Sequence, residues 1–361
     1  MEKNNSYKKW HQKGPKKKKR APKRFLLIQF RQIGDVILTT PIAKILRNHF
    51  PKSRLDVLTF SANECIWRHN PHLSHLITFD RKSGFLGFIK LLLQIRKNHY
   101  DAVLDFQDTP RSTYCVLVSG AFYRVIWETS SRRKAYNTLV RRTEGYPVTT
   151  KSDLLTPFIA NVNTDPISKP EVYVSNTEKN RIETILAKHG IGQNDFIVTM
   201  APTHRRIVRR WPFRFFVETA DFLIQKYNAK VILSWGPDEY DYIQNGLKAC
   251  NYTHPNLITD LFLNLLELAA LMQKAKFHFG NDSAPQHLAT AQNLPTFTVF
   301  GATSTTWSYP SSRHECVAKQ LDCQPCNQLI CKFGDTIPCL KEFGFNEIRS
   351  QLEKFIQKVI L

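Results

Sequence analysis

The segment from Ala201 to Pro212 carries four arginines immediately before a Trp-Pro pair, and it follows an apolar run with the character of a strand. Guanidinium groups donate paired hydrogen bonds to phosphate oxygens, so a diphosphate is the natural ligand of such a loop. An ordinary solvated basic loop is the alternative. The four candidates for binding the anion are Arg205, Arg206, Arg209 and Arg210.

A second candidate anion site is Gly280-Asn281-Asp282-Ser283-Ala284, where an apolar run ends in small residues ahead of a predicted helix. The first backbone N–H groups of a helix have no partner within it, and together with the helix dipole they can bind phosphate. Asp282 is unsuited to facing phosphate. We expect it to accept hydrogen bonds from a sugar or to order the loop, with plain helix capping as the alternative.

Two turns carry acids where a helix is predicted to begin. Gly34-Asp35 follows the first apolar run, and a carboxylate there could act as a general base on a sugar hydroxyl. Gly236-Pro237-Asp238-Glu239 follows a later apolar run, and its acids could bind ribose or sugar hydroxyls. In both turns the alternative is a carboxylate that only stabilises the first turn of a helix.

Each of these turns follows a predicted strand. In the first half, the sequence predicts strands at 25–30, 55–60, 76–79 and 102–106, and helices at 35–50 (kinked at Pro41), 62–68 and 85–98. In the second half, it predicts strands at 196–201, 230–235, 277–280 and 296–300, and helices at 177–189, 213–227, 238–248, 264–273 and 284–292. This alternation predicts α/β doubly wound parallel sheets, with ligands beyond the carboxyl ends of the strands.

The chain is long enough for two domains. Residues 128–169 lose the alternating pattern, and we interpret them as the rim of the first domain and the approach to a linker. The predicted division is a disordered basic tail at 1–24, a first domain at 25–175 and a second at 176–361. The last helix is free to pack back on the first domain.

The charge is strongly basic, with 51 Lys and Arg against 30 Asp and Glu, and residues 1–24 alone hold eleven basic residues and one acid. Such a surface attracts nucleic acid, anionic lipid headgroups or phosphorylated glycolipid. No segment approaches the roughly 18 apolar residues of a membrane span, and the tail lacks the apolar stretch of a secretory signal. We therefore expect a cytoplasmic protein.

The most apolar predicted helix, residues 85–95, is interrupted by Lys90 and flanked by Arg81, Lys82, Arg96 and Lys97. This pattern suits a helix that lies near a membrane surface, and a helix packed on a sheet is the alternative.

Four of the eight cysteines cluster late in the chain, at Cys323, Cys326, Cys331 and Cys339. The Cys-x2-Cys start has the spacing of zinc ligands, but the later gaps differ from those of a standard zinc ribbon. A cytoplasmic location argues against a disulfide framework. We expect free or buried thiols, with zinc as the alternative.

Taken in order, the motifs resemble those of the bacterial lipopolysaccharide heptosyltransferase family over residues 25 to about 345. The matching motifs are Gly34-Asp35 with Leu38-Thr39-Thr40-Pro41, Arg209-Arg210-Trp211-Pro212, Gly236-Pro237-Asp238, Gly280-Asn281-Asp282-Ser283 with Gln286-His287-Leu288-Ala289, and Phe300-Gly301-Ala302-Thr303. Two residues depart from the pattern. Arg209 stands where the family usually has lysine, and Ala284 stands where it usually has glycine.

The resemblance implies a GT-B architecture, in which two Rossmann-like domains face each other across a cleft. It implies a metal-independent, inverting transfer of heptose from ADP-heptose to the lipopolysaccharide inner core, without a cofactor. Asp35 and Arg209 would be catalytic. The remaining implied site residues are Thr203, Arg210, Asp238, Asp282, Ser283, Ala284 and His287 toward the donor, and Arg31, Gln32 and Gly34 toward the acceptor.

Within the family, the motifs are most similar to heptosyltransferase III, with heptosyltransferase II next. We expect the basic tail to hold the enzyme at the inner face of the inner membrane, without specific nucleic-acid binding. The alternatives are a basic nucleic-acid-binding protein and a glycosyltransferase with another donor. The sequence does not indicate the oligomeric state.

Overall fold

The computed structural model describes residues 21–162 and 167–361, so most of the basic tail lies outside the described residues. Within residues 21–162, the first half forms six strands and six helices. The strands are β1 Arg24–Ile28, β2 Arg54–Phe60, β3 His75–Phe79, β4 Ala102–Asp105, β5 Tyr123–Trp127 and β6 Thr138–Val140. The helices are α1 Ile33–Ile37, α2 Thr40–His49, α3 Glu64–Trp67, α4 Gly84–Lys97, α5 Pro110–Ser119 and α6 Pro147–Ser152.

The second half forms six further strands and seven helices. The strands are β7 Ile197–Ala201, β8 Lys230–Leu233, β9 Leu257–Ile258, β10 Phe277–Asn281, β11 Thr296–Val299 and β12 His314–Val317. The helices are α7 Asn176–Lys188, α8 Phe213–Tyr227, α9 Tyr240–Cys250, α10 Leu265–Met272, α11 Ala284–Ala291, α12 Pro338–Lys341 and α13 Phe345–Val359. No helix within the described residues is long and apolar enough to cross a membrane.

Both halves have the same sheet topology. The first sheet runs in the order β3-β2-β1-β4-β5-β6 and the second in the order β12-β11-β10-β7-β8-β9, with parallel pairing in both. Numbered within its own half, each sheet is 3-2-1-4-5-6, the doubly wound order that reverses direction beside the first strand. The prediction of two doubly wound parallel sheets is confirmed.

The predicted helix at residues 35–50 is in fact two helices. α1 ends at Ile37 and α2 begins at Thr40, which places Pro41 in the first turn of α2. Proline is well tolerated there because a first-turn N–H has no partner within the helix. The prediction that Pro41 kinks one continuous helix is therefore wrong.

Residues 128–169 are more than a rim. They contain β6, which completes the first sheet, and α6, in which Lys151 is buried. The last helix, α13, packs on the second sheet, because Ile348 and Leu352 lie in the same core cluster as Phe279. The alternative in which this helix returns to the first domain is therefore wrong.

The two halves share one apolar core. A single cluster of buried side chains includes Phe25 and Leu55 of the first sheet and Leu266 and Leu288 of the second half. Helix α1 packs against α11, with Gly34 at the contact. A Cβ atom at position 34 would lie 3.0 Å from Cδ2 of His287, so glycine is what allows this close approach.

Replacing Gly34 with valine should therefore overpack the contact between α1 and α11. We expect Gly34→Val to lower the unfolding free energy by about 1–3 kcal/mol, as overpacking of well-packed sites does. Thermal unfolding followed by circular dichroism would measure this. Gly192→Val is the matched control, because a Cβ there would meet only Asp195, at 3.8 Å. Equal unfolding midpoints for the two variants would contradict the tight contact.

Candidate functional site

The candidate site lies where each sheet reverses direction. β1 and β4 are neighbours in the first sheet, as are β7 and β10 in the second. In doubly wound sheets, the loops beyond the carboxyl ends of such neighbouring strands form a crevice. Asp35 follows β1, Arg209 follows β7 and Asp282 follows β10, so all three come from these loops. α1 and α11, which begin at two of these strand ends, are in contact.

We call the side of the crevice formed by the first half of the chain the first wall, and the side formed by the second half the second wall. Asp35 provides the carboxylate on the first wall. It lies in the first turn of α1, and its side chain is one-third exposed. Thr39 Oγ1 donates a hydrogen bond to the backbone oxygen of Asp35 at 2.7 Å, so this bond does not involve the carboxylate. The nearest cation is Lys151, whose Nζ lies 3.9 Å from Asp35 Oδ1. A partly exposed carboxylate beside a lysine is suited to accepting a proton from a bound hydroxyl.

Lys151 is a site residue that the sequence analysis missed. Its Nζ donates to Gln29 Oε1 at 2.9 Å and lies 5.6 Å from the centre of the Phe106 ring. Burial lowers the pKa of Lys151, and the neighbouring Asp35 offsets part of that effect. The only signal in the sequence was a lysine within a short helix that has no apolar periodicity, and that signal is too weak to mark a buried position.

Arg209 provides the cation on the second wall. It ends a short 3-10 turn, Ile207–Arg209, and its Nη1 lies 3.4 Å from Asp282 Oδ2. Burial lowers the pKa of Arg209, whereas Asp282 and, more weakly, Asp35 raise it. The Asp35 carboxylate is therefore within electrostatic range of this guanidinium. Nε of Arg209 is buried and donates to no group within the described residues.

Asp282 holds the second wall together. Its Oδ2 accepts hydrogen bonds from Thr303 and from Arg209. Burial raises the pKa of Asp282, and the bonds from Thr303 and Arg209 lower it. These contacts fit the role of ordering the loop, which was one of the roles expected for Asp282. Thr303 belongs to a motif quoted for the resemblance, but no role was predicted for it.

Asn281 fixes the arginine loop against the end of β10. Its Oδ1 accepts from the backbone N–H of Trp211 at 2.9 Å, and its Nδ2 donates to the carbonyl oxygens of Pro202 and Thr203 at 3.1 and 3.4 Å. The side chain is fully buried. Asn281 therefore sets the position of Thr203 relative to the start of α11.

The start of α11 has the features of an anion site. Ser283 precedes the helix in an extended conformation, and its Oγ is buried without a hydrogen-bond partner within the described residues. Ala284 is the first helical residue, so its backbone N–H is free of the helix ladder. His287 is buried one turn later, and burial lowers its pKa to about 4, so its ring is neutral at neutral pH.

Four other predicted site residues lie in loops that follow strands or begin helices. The Arg210 guanidinium stacks on the Tyr242 ring at 4.8 Å, and exposed Asp238 adopts a left-handed backbone with φ of 67°. Glu239, next to it, accepts from the Gly236 N–H at 2.7 Å and so stabilises the turn. Arg31 and Gln32 are exposed between β1 and α1.

The four late cysteines line one small cavity of about 50 Å³. All four are free thiols, and burial raises the pKa of Cys339 to about 11. Within residues 21–162 and 167–361, no group of three or more His, Cys, Asp or Glu side chains is placed to hold a metal ion. The expectation of free or buried thiols, with zinc as the alternative, stays a prediction.

Comparison with known proteins yields a family and a fold. The profile of glycosyltransferase family 9 (heptosyltransferase) matches residues 88–337. Lipopolysaccharide heptosyltransferase 3 of Escherichia coli is 28% identical over 284 residues, which are 75% of this chain and 81% of that protein.

Two solved structures are similar in fold. The family 9 glycosyltransferase of Veillonella parvula has a TM-score of 0.81 at 19% identity, covering 93% of this chain and 98% of that one. The E. coli heptosyltransferase WaaC, solved with ADP-2-deoxy-2-fluoro heptose, has a TM-score of 0.67 at 17% identity, covering 92% and 99%. These similarities confirm the predicted GT-B fold.

The buried lysine yields a prediction on stability. The folded-state pKa of Lys151 lies below its usual value of 10.5, so the unfolded chain binds its proton more tightly. The stability that Lys151 contributes is therefore present above about pH 10.5 and is lost as pH falls through its folded-state pKa. At pH 7 we expect the unfolding midpoint of Lys151→Met to equal or exceed that of wild type. Between pH 7 and pH 10 the unfolding free energy of the variant should rise less than that of wild type.

Urea or thermal unfolding across this pH range would check the prediction. Lys188→Met is the control, because Lys188 is exposed at the end of α7. A Lys151→Met variant that unfolds several degrees below wild type at pH 7 would show that the charged lysine stabilises the fold.

Proposed function

The chain belongs to glycosyltransferase family 9, the heptosyltransferases, and we propose that it transfers L-glycero-D-manno-heptose from ADP-heptose to the inner core of lipopolysaccharide. The single observation that carries the mechanism is the packing of α1, which bears Asp35, against α11, whose start adjoins Asp282 and its partner Arg209. The donor and acceptor follow the names of relatives, among them a lipopolysaccharide heptosyltransferase 3 and a WaaC bound to an ADP-heptose analogue. The first of these names favours the heptosyltransferase III branch.

In the proposed reaction, Asp35 accepts the proton of the acceptor hydroxyl as its oxygen attacks the anomeric carbon of the heptose. The bond from that carbon to the diphosphate oxygen breaks, and ADP leaves from the opposite face with inversion. One C–O bond forms and one breaks, and the proton remains on Asp35. A partly exposed carboxylate on the first wall, beside Lys151, has the access that a general base needs.

The leaving diphosphate would be stabilised by the second wall. Arg209 donates through Nη1 to Asp282, and its buried Nε is without a partner within the described part of the chain. Arginine supplies charge and a fork of donors but no proton, so its help to the leaving group is electrostatic. This arrangement suits a metal-independent transfer without a cofactor.

We assign the rest of the diphosphate site to Thr203, Ser283, Ala284 and His287. Ser283 offers a buried hydroxyl without a partner among the described residues, and Ala284 offers a helix N–H. Alanine adopts helical φ without strain, so the change from the glycine usual in the family keeps this donor. We assign Arg210 and Asp238 to the nucleoside end of the donor, where their side chains would form hydrogen bonds with hydroxyl groups.

The acceptor would bind to the first domain, residues 25–175, through Arg31, Gln32 and Gly34, and the donor to residues 176–361. Exposed Arg31 stands beside α1 and is suited to phosphate groups of the inner core. We place the enzyme in the cytoplasm, at the inner face of the inner membrane. The basic tail would assist that placement through its eleven Lys and Arg residues in positions 1–24.

The proposed function is tested with purified protein, heptose-deficient lipopolysaccharide and a set of nucleotide sugars. We expect ADP release and a mass increase of one heptose with ADP-heptose, and neither with UDP-linked or GDP-linked hexoses. The same turnover with EDTA present would support metal independence. Turnover with another nucleotide sugar alone would show that the donor assignment is wrong.

The role of Asp35 predicts a specific kinetic defect. Asp35→Asn keeps the size of the side chain but cannot take a proton, so kcat should fall by about 100-fold to 10,000-fold. KM for ADP-heptose should change little, because the proposed donor contacts lie on the second wall. Asp335→Asn, at an exposed carboxylate in the turn Gly334–Thr336, is the matched control. An Asp35→Asn enzyme with wild-type kcat would remove this residue from the mechanism.

A further inference from the structure

Helix α4 is apolar on two faces, although only one of them is covered. Leu91 and Ile95 are buried in the core on one side of the first sheet. On the other face Phe85 and Leu86 are each 75% exposed, and Leu93 is 65% exposed. A helix that is apolar all round is normally enclosed by protein or by lipid. The outer face of α4 therefore lacks an expected partner.

The neighbouring helix α5 extends this surface. It packs alongside α4 and exposes Tyr114 and Leu117, which are 57% and 48% accessible. We call the combined surface the outer patch; its members are Phe85, Leu86, Ile89, Leu93, Tyr114 and Leu117. Contiguous exposed apolar side chains rimmed by polar residues mark protein-binding or membrane-binding surfaces.

The rim of the outer patch is predominantly basic, although Asp80 and Asp101 flank it in the chain. From Arg81 to Tyr100 the chain has five Lys or Arg residues and no Asp or Glu, and α5 adds Arg111 and no acid. The Arg111 guanidinium is held over the rings of Phe79 and Phe88, at 5.6 and 5.8 Å from their centres. A surface that combines apolar side chains with an excess of cations is complementary to an anionic lipid bilayer.

The outer patch also stands at the edge of the sheet that bears the site. α4 begins after the carboxyl end of β3, and α5 begins after the carboxyl end of β4. In a parallel sheet these ends share one edge with the end of β1, which is followed by Asp35. Helices α4 and α5 pack on the sheet face opposite the core shared with the second half. The second half therefore does not cover their outer patch.

We propose that the outer patch of α4 and α5 inserts shallowly into an anionic lipid bilayer and so brings the first domain to its lipid-anchored acceptor. This inference rests on the proposed function for the acceptor, but binding to the bilayer is independent of sugar transfer. The apolar side chains would enter the headgroup boundary, while Arg81, Lys82 and Lys97 contact lipid phosphates. Each such cation is attracted to an anionic lipid surface.

The test is sedimentation of the full-length protein with phosphatidylcholine vesicles, with and without phosphatidylglycerol. We expect the double variant Phe85→Gln/Leu86→Gln to bind anionic vesicles at least about tenfold more weakly than wild type, since burial of one such side chain contributes about 1.5–3 kcal/mol. The control is Leu329→Gln/Ile330→Gln, an exposed apolar pair outside the patch, at 61% and 81% accessibility. This control should bind like wild type.

Equal vesicle binding by the two double variants would overturn the proposal. So would wild-type binding that is equally strong with and without phosphatidylglycerol. So would a wild-type dimer in light scattering that becomes monomeric in Phe85→Gln/Leu86→Gln without any change in vesicle binding, because the patch would then join two copies. Unfolding midpoints equal to wild type would confirm that both variants fold.

A second measurement separates this inference from the proposed function. Phe85→Gln/Leu86→Gln should lose turnover on lipopolysaccharide embedded in vesicles and keep wild-type turnover on a lipid-free core oligosaccharide. Loss on both acceptors would overturn the inference. Vesicle binding as expected from the outer patch, with no turnover by wild type on any acceptor, would support the membrane surface and refute the sugar transfer.

Discussion

The buried contact between Asp282 and Arg209 is the interaction on which the geometry of the cleft depends. A carboxylate that is almost completely buried needs compensation, and removing one partner of such a pair typically costs several kcal/mol. Thr303 and Arg209 supply that compensation and thereby fix the arginine next to the start of α11. The second wall is thus organised by contacts within the protein itself, which is the condition for electrostatic stabilisation of a leaving group.

The same cleft contains several buried groups that lower the stability of the fold. Lys151 is a buried amine, and Arg209 Nε, Ser283 Oγ and the Gln286 amide are buried without partners within the described residues. Each unsatisfied group costs about 1–3 kcal/mol, a burden usual where a ligand completes the hydrogen bonds. The rest of the molecule offsets this through an apolar core continuous between the two halves. That continuity holds Asp35 and Arg209 on facing walls.

The sequence predicted the fold well because long apolar runs such as residues 25–30 and 277–280 form central strands of parallel sheets. It missed β5, β6, β9 and β12. Of these, β6, β9 and β12 are short edge strands, where little apolar patterning is required, and β5 lies next to β6. Asp35, Arg209 and Asp282 stood out because each follows a central strand. Lys151 did not, because it reaches the cleft from α6 through tertiary packing alone, and nothing local marks it as buried.

The central claim is that Arg209, held by Asp282, binds the diphosphate of the donor, and calorimetric titration with ADP and AMP tests it most directly. Arg209→Gln should weaken ADP binding by about tenfold or more and AMP binding much less, because a charge-assisted hydrogen bond is worth roughly 1.5–3 kcal/mol. Arg205→Gln, in the same loop but exposed, should bind both nucleotides like wild type. Wild-type affinity of Arg209→Gln for ADP, or an equal loss in Arg205→Gln, would contradict the account.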